Sequence, residues 1–495
     1  MSSVELHYEH GTLVAPWLPE DATLRAFFVR DPRTEVFRAP AWRYRDIALL
    51  LHRTKVEWTD RARAFEPHAI ALAREIRPFP YQQAALENWV AAGRRGTVVL
   101  PTGAGKTILA VLAMEKAQRP TLVVVPTLNL LAQWREVLAD ALGQPIGELG
   151  GGVSDRQPIT VTTYDSAALH TEFHGNRFGL VVFDECHHLP SPSYRFIAEG
   201  SLAPFRLGLT ATLERTDGGE RVVQELVGPV VHEVGIEALE GEYLAPYELV
   251  AVEVPLTDEE LERYEEARGV YLAFLRDAHL AMGAPDGWRR FIIQSSQSEE
   301  GRRAFQAYRE QRRVALTSQG KLDALWEIVR RHRRERVLVF TEDNETVHRL
   351  SRWLLAPAIT HLTPPAERQQ ILGAFARGEW PVLLTSKVLN EGVDVPEANV
   401  GVVLSGSGSV REHVQRLGRI LRRREGKRAV LYEVCSANTA ESGISERRRQ
   451  HRAYQRPAPV PDSARPSGAA VPRPFEPGAD EPGRGPPRAR LDGDG

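Results

Sequence analysis

Hydrophobic and polar residues alternate at the start of the chain, over residues 4–9. A period of two predicts a strand, and His10-Gly11 before Thr12-Leu13-Val14 predicts a turn and a returning strand. Apolar residues at helical spacing from Ala41 to His52 predict a helix after this hairpin. We therefore expect a small α+β domain over residues 1–68.

From about residue 72 the pattern changes to short, continuous apolar runs separated by helical stretches. The first series comprises Thr97 to Leu100, Thr121 to Val125, Ile159 to Thr163, Leu180 to Phe183 and Arg206 to Leu209, and the second comprises Val337 to Phe340, Val382 to Thr385, Val400 to Leu404 and Ala429 to Glu433. Continuous apolar strands that alternate with helices indicate parallel sheets covered on both faces. The fold class is therefore α/β, with two doubly wound domains over 72–240 and 318–455.

Two further segments differ from these domains. Residues 256–314 carry no strand signals and run from acidic to basic, which predicts a helical insertion. Residues 456–495 contain ten Pro and six Gly, and their six Arg balance six Asp and Glu. Such a composition cannot bury enough apolar surface to offset the entropy of ordering, so we expect a disordered tail.

The composition excludes several kinds of protein and of metal site. The 495 residues include only two cysteines, which excludes a disulfide framework and a multi-cysteine zinc site. No apolar run reaches the roughly 18–20 residues of a membrane span, and the first residues do not resemble a signal peptide. We expect a cytoplasmic protein without a membrane partner. The net charge is −2, yet residues 410–455 hold twelve Lys and Arg against five Asp and Glu, so the positive charge is local.

A glycine-rich sequence, Leu100 to Thr107, follows a predicted strand and precedes a helical pattern. Gly103 and Gly105 allow the backbone to curl around phosphate oxygens, and the helix adds its positive N-terminal end. Lys106 would contact the β- and γ-phosphates of ATP, and the Thr107 hydroxyl would ligate Mg²⁺. The alternative is a glycine-rich turn without a ligand, which the combination of strand, Gly-x-Gly-Lys-Thr and helix disfavours.

Two adjacent carboxylates, Asp184 and Glu185, follow the strand Leu180 to Phe183. Open α/β sheets bind ligands at the carboxyl ends of their strands. Asp184 would hold Mg²⁺, and Glu185 would orient and deprotonate the attacking water. A metal cage built from residues 184–188 is the rival hypothesis, but consecutive side chains alternate in direction. Cys186 is expected to fill core space, and His187 to link the nucleotide to the rest of the molecule.

In this order the motifs resemble those of superfamily 2 helicases. Asp184 to His187 resembles motif II, Thr210-Ala211-Thr212 resembles motif III, and Gln415 to Arg422 fits Gln-x-x-Gly-Arg-x-x-Arg. The second half is similar to the XPB family of DNA-repair helicases, in Phe340 to Glu345, Pro357 to His361, Ser386 to Pro396 and Leu404 to Glu412. The resemblance covers about residues 1–455.

The resemblance implies two RecA-like domains, an N-terminal damage-recognition domain and a thumb at 256–314, with ATP and Mg²⁺ bound between the RecA-like domains. It assigns nucleotide binding to Gln82, Thr102, Gly103, Ala104, Gly105, Lys106, Thr107, Gly392, Asp394 and Gln415. Arg419 and Arg422 would act as arginine fingers beside the catalytic Lys106, Asp184 and Glu185, and His187, Thr210 and Thr212 would couple hydrolysis to movement. The alternative for the two arginines is a solvated basic helix.

DNA contacts follow from the same resemblance, at Thr127, Thr163, Arg215, Asp217, Thr341, Thr363, Thr385 and Ser386. Hydroxyls reach phosphates without reading bases, as sequence-independent movement requires. For each threonine a strand-end cap is an equal alternative.

The implied activity is that of an ATP-dependent, DNA-stimulated 3′→5′ helicase or translocase in DNA repair, associated with the nucleoid. The family carries Arg-Glu-Asp where this chain has Arg215-Thr216-Asp217. This difference motivates one alternative, a duplex translocase without strong unwinding that serves a partner nuclease. Two others stay open: another superfamily 2 translocase of the UvsW or type III restriction groups, which share the catalytic motifs, and a non-catalytic DNA-binding scaffold. The complete catalytic set disfavours the scaffold.

Overall fold

The structure, a computed structural model, describes residues 3–213, 218–239, 241–284, 286–386, 398–404 and 429–441. Several predicted features lie outside the described residues: Arg215, Asp217, Gly392, Asp394, Gln415, Arg419, Arg422 and the tail over 456–495. Among the described residues, no helix combines the length and apolar character needed to cross a membrane.

The N-terminal part forms a five-stranded sheet in the order β3-β4-β2-β1-β5. Its elements are β1 Val4–Glu9, β2 Thr12–Ala15, α1 Ala22–Arg25, β3 Val29–Arg30, β4 Phe37–Pro40, α2 Tyr44–Thr54 and β5 Trp58–Arg61. The predicted hairpin is confirmed, because β1 and β2 pair antiparallel. The predicted helix begins with a 3₁₀ turn, Ala41–Arg43, and continues as α2, whose apolar face is buried on the sheet.

The N-terminal part packs against helices and a loop that flank the second sheet. The Tyr8 hydroxyl lies 2.7 Å from the carbonyl of Thr171 and 2.9 Å from that of Gly200. Gly11 has a φ of 82°, and a Cβ there would lie 2.5 Å from the Phe196 ring. Leu202 is part of the N-terminal hydrophobic core. The N-terminal part and the domain built on the second sheet therefore share both apolar and polar contacts.

The second sheet has eight strands in the order β13-β6-β12-β11-β7-β10-β8-β9. Its elements are α3 Pro80–Ala91, β6 Arg95–Val99, α4 Lys106–Ala117, β7 Thr121–Val125, α5 Leu128–Leu142, β8 Ile146–Gly150, β9 Val153–Asp155, β10 Ile159–Thr163, α6 Tyr164–His174, β11 Leu180–Asp184, α7 Arg195–Glu199, β12 Phe205–Thr210, α8 Glu220–Leu226, β13 Val230–Glu233 and α9 Ile236–Leu239. All of its described strand pairs are parallel except β8 with β9. The five predicted strands form its centre.

Within the described residues, the third sheet has six parallel strands in the order β14-β19-β18-β15-β17-β16. The elements are β14 Tyr247–Val254, α10 Asp258–Asp277, α11 Gly287–Ser295, α12 Glu299–Leu316, α13 Gln319–Arg331, β15 Val337–Phe340, α14 Asn344–Leu354, β16 Ala358–Ile359, α15 Pro365–Arg377, β17 Val382–Thr385, β18 Val400–Val403 and β19 Ala429–Ser436.

Helices α10, α11 and α12 occupy the segment that was predicted to be helical. The strand β14 precedes them and pairs with β19 over its whole length. The helical segment is therefore inserted within the third sheet along the chain, after its edge strand.

Candidate active site

The glycine-rich loop joins β6 to α4, and its backbone depends on two glycines. Gly103 has a φ of 87° and Gly105 a φ of 75°, values that side chains rarely adopt. A Cβ on Gly105 would also lie 2.4 Å from the Gln82 amide nitrogen. The Thr102 hydroxyl is buried without a hydrogen-bond partner among the described residues. A curled loop with an unpaired donor at a helix N-terminus fits a phosphate ligand.

Two side chains of α3 donate hydrogen bonds to the backbone of this loop. The Gln82 amide donates to the carbonyl of Ala104 at 3.0 Å, and the Tyr81 hydroxyl donates to the same carbonyl at 3.0 Å. The Gln82 carbonyl oxygen accepts from the Phe79 amide at 2.9 Å. Gln82 is buried and bonded at both ends, so in this structure it supports the loop. Its contact with the nucleotide stays a prediction.

Asp184 ends β11 with its side chain buried. One carboxylate oxygen accepts from the Trp134 indole nitrogen at 2.9 Å, and the other accepts from the Glu185 amide at 3.1 Å. Burial, and then the charge of Glu185, raise the pKa of Asp184 to about 6, although Lys106 and Trp134 act in the opposite direction. Sequence reasoning missed Trp134, because only tertiary packing brings α5 to the end of β11.

Glu185 connects the strand end to the phosphate loop. Its backbone is left-handed, with a φ of 48°, which is unusual for a residue with a long side chain at a strand end. One carboxylate oxygen lies 3.1 Å from Lys106 Nζ, and both side chains are largely buried. Local strain of this kind persists where the surrounding structure determines it and is common at active sites. The structure therefore brings together the predicted Lys106, Asp184 and Glu185.

The three predicted coupling residues lie beside this pair. His187 Nδ1 is 3.0 Å from the Thr210 hydroxyl and 3.4 Å from a Glu185 carboxylate oxygen. The Thr210 hydroxyl donates to the Thr212 carbonyl at 2.8 Å. Thr210 is fully buried. A polar network thus runs from Glu185 to the end of β12, and the coupling role of its residues stays a prediction.

The rival metal cage over residues 184–188 has no support in the structure. Cys186 packs in an apolar cluster, and burial raises the pKa of its thiol. The described residues contain no group of three or more His, Cys, Asp or Glu that could hold an ion. Cys186 is the core residue that the sequence predicted.

Most residues predicted to contact DNA make local bonds in this structure. Thr127 caps α5 and Thr163 caps α6, each hydroxyl accepting a backbone amide at 3.3 Å. Thr341 and Thr385 are fully buried, and their hydroxyls donate to the carbonyls of Asp343 and Ser386. Thr363 also makes a local bond, because its hydroxyl accepts the Thr360 amide at 2.9 Å. The Ser386 side chain is buried. Their contacts with DNA stay predictions.

Three family models match successive parts of the chain. They describe the Xeroderma pigmentosum group B helicase damage recognition domain over residues 6–62, the type III restriction enzyme res subunit over 75–215 and the helicase conserved C-terminal domain over 320–424. The DNA 3'-5' translocase XPB2 of Sulfurisphaera tokodaii is 38% identical over 416 residues, which are 84% of this chain and 94% of that protein. The chain belongs to the XPB family.

Other XPB-family proteins are longer than the matched region. The DNA 3'-5' helicase XPB of Mycobacterium tuberculosis is 33% identical over 79% of this chain and 66% of its own length. The corresponding protein of Kineococcus radiotolerans is 34% identical over 79% of this chain and 65% of its own length. The family predicted from the sequence and the α/β fold with two RecA-like helicase domains are thereby confirmed.

Proposed function

We propose that this XPB-family protein is an ATP-dependent DNA helicase or translocase that moves 3′→5′ and acts in DNA repair on the nucleoid. The observation that supports this proposal most directly is the 3.1 Å contact between Lys106 Nζ and Glu185 Oε1. This contact joins the phosphate loop to the carboxylates at the strand end. Both groups face the ligand edge of a doubly wound sheet. The names of the relatives, DNA 3'-5' translocase and DNA 3'-5' helicase, support the direction of movement.

The loop residues 102–107 would bind the phosphates of ATP, and Thr107 and Asp184 would hold Mg²⁺. Bound Mg²⁺ neutralises charge on the phosphate oxygens. An incoming γ-phosphate competes with Glu185 for Lys106, which frees the carboxylate to accept a proton from the attacking water. His187 and Thr210 contact that same carboxylate region, so its change of partner is passed to the end of β12. Arg419 and Arg422 would complete the site from the other RecA-like domain.

Two variants test this assignment. Lys106→Ala should abolish ATP hydrolysis in the presence of DNA, because it removes the cation that would contact the β- and γ-phosphates. Glu185→Gln should bind ATP with nearly unchanged affinity but hydrolyse it very slowly in a single turnover, because an amide cannot accept the proton. Undiminished turnover by Lys106→Ala, or unchanged single-turnover hydrolysis by Glu185→Gln, would contradict the proposal.

The second candidate is a duplex translocase that separates strands weakly and delivers DNA to a partner nuclease. Arg215-Thr216-Asp217, which lacks the central carboxylate of the family pattern, favours this version. Strand displacement from a fork and displacement of a triplex-forming strand, measured side by side, separate the two. Triplex displacement without strand displacement supports the translocase, and efficient strand displacement supports the helicase. A nuclease partner would show as DNA cleavage only in the reconstituted pair.

A further inference from the structure

The domain built on the third sheet carries three exposed tryptophans outside its helical insertion. Trp326 on α13 is 51% exposed, Trp353 on α14 is 43% exposed, and Trp380, just before β17, is 45% exposed. The rings of Trp326 and Trp353 pack on each other with centroids 5.9 Å apart. Isolated surface tryptophans are ordinary, but a contiguous apolar patch on a folded protein marks an interaction site.

A cavity opens beside Trp326. Its volume is about 190 Å³, and its apolar wall is formed by Trp326, Val329, Pro381 and Val382. Residues Trp326, Val329, Arg330 and Arg333 recur at spacings of three and four, so they lie along one side of α13 and its extension, while Leu325 and Ile328 on the other side are buried. An apolar cavity of about 150 Å³ suffices for a benzene ring. This one therefore has room for one aromatic or large aliphatic side chain.

The rim of the cavity is positively charged. Arg330 is paired with Glu327 at 2.8 Å, and His332 with Glu335 at 2.7 Å. Arg333 also lines the cavity, is exposed, and has no carboxylate within 4 Å among the described residues. The neighbouring Arg331 and Arg334 are exposed as well. Glutamates offset the charges of Arg330 and His332, so the remaining exposed arginines give this surface an excess of positive charge. An acidic partner would complement that charge.

The cavity lies at the opposite edge of the sheet from the predicted DNA contacts. Pro381 and Val382 stand at the amino end of β17, and the Pro381 carbonyl accepts the amide of Val337, the first residue of β15. Thr385 and Thr341 stand at the carboxyl ends of the same strands, about 10 Å away along the strand direction. A ligand in the cavity would leave the carboxyl edge free.

We propose that this surface, made of Trp326, Trp353, Val329, Pro381 and the rim arginines, binds an acidic segment of a partner protein that inserts one large apolar side chain into the cavity. Tryptophan and arginine are the residues most enriched at the energetic centres of protein interfaces. Nucleic acid is the rival ligand, because it also combines negative charge with flat rings. The observations favour protein, since a cavity of about 190 Å³ accommodates a single side chain and the two tryptophan rings, tilted by 53°, offer no common stacking plane.

The test uses the full-length protein and fluorescein-labelled probes in a polarisation titration. The first probe is a twelve-residue peptide of Asp and Glu around one central Phe. The second replaces Phe with Gly, the third replaces the acids with Lys, and the fourth is a dT oligonucleotide of the same length. We expect saturable binding of the first peptide, at least tenfold weaker binding of the second, and no binding of the third.

Surface variants locate the site. Trp353→Ala and Trp326→Ala should each weaken the acidic Phe peptide at least tenfold, and Arg333→Glu should do the same without touching the core. Trp17→Ala is the matched control, because Trp17 is also 43% exposed but lies in the N-terminal part. DNA-stimulated ATP hydrolysis should stay unchanged in all four, which also shows that each variant is folded.

Three results would overturn the proposal: no saturable binding of the acidic Phe peptide, equal loss in Trp17→Ala and Trp353→Ala, or affinity for the peptide unchanged in Arg333→Glu. The surface would be assigned to nucleic acid instead if the wild-type protein binds the dT oligonucleotide but not the peptide, and if Trp326→Ala and Arg333→Glu both lose the oligonucleotide.

Discussion

Replacing Trp134 with Phe removes one hydrogen bond from the predicted Mg²⁺ ligand and keeps an aromatic ring in the core. In the wild type the buried indole nitrogen donates to Asp184 Oδ2 at 2.9 Å. Phe cannot donate, so the Asp184 carboxylate keeps only the Glu185 amide as its described hydrogen-bond donor. The variant therefore tests whether Trp134 holds the carboxylate in the orientation that binding of Mg²⁺ needs.

Trp134→Phe should change both the free energy of unfolding and the affinity for Mg²⁺. A hydrogen bond to an ionised group contributes about 1.5–3 kcal/mol, and the smaller ring adds a packing loss, so the free energy of unfolding should fall by about 2–4 kcal/mol. Loss of a partner that orients a metal ligand lowers metal affinity about 10–100-fold. The Mg²⁺ concentration that half-saturates ATP hydrolysis should rise by at least about tenfold.

The assay is a Mg²⁺ titration of DNA-stimulated ATP hydrolysis at fixed ATP, combined with urea unfolding of the same preparations. Trp89→Phe is the matched control, because the Trp89 indole is equally buried and donates at 2.9 Å to the Arg206 carbonyl, away from the site. Both variants should lose stability, but only Trp134→Phe should shift the Mg²⁺ titration. A Mg²⁺ titration unchanged in Trp134→Phe, or shifted equally in Trp89→Phe, would refute the reasoning.

Three further changes probe other parts of the structure. Thr210→Val removes the hydroxyl between His187 and Glu185, so strand or triplex displacement per ATP hydrolysed should fall several-fold; unchanged coupling would contradict this role. Tyr8→Phe removes the hydroxyl that donates to the carbonyls of Thr171 and Gly200, and urea unfolding should show a loss of about 1–2 kcal/mol, whereas no loss would count against the packed interface. Arg206→Met removes three hydrogen bonds from a fully buried guanidinium to the carbonyls of Ala203, Leu226 and Ser201. The free energy of unfolding in urea should fall by at least about 3 kcal/mol. A smaller fall would show that these carbonyls find other partners.

The central strands were predictable because their burial on both faces leaves a direct mark in the sequence. The run Leu180 to Phe183 is entirely apolar and fully buried, and it places Asp184 at the ligand edge. By contrast, β14 escaped prediction. It is an edge strand whose side chains are mostly half-exposed, and glutamates at 248 and 253 interrupt its apolar pattern. Edge strands need only one buried face, so their sequence signal is weaker.

At the site, residue types were predictable and their contacts were not. Lys106 and Glu185 are 79 positions apart, and their approach depends on the parallel order of β6, β12 and β11. The left-handed backbone of Glu185 has no composition signal, because the surrounding fold imposes it. The threonines at strand ends fitted both a cap and a DNA contact, and only the described bonds of Thr127 and Thr163 show the cap.

The most direct test of the central claim is the rate of ATP hydrolysis by the wild-type protein with DNA and with RNA of matched length and structure. The proposed function predicts strong stimulation by DNA and little or none by RNA. Equal stimulation by both nucleic acids, or hydrolysis that DNA does not accelerate, would contradict an ATP-driven machine that acts on DNA.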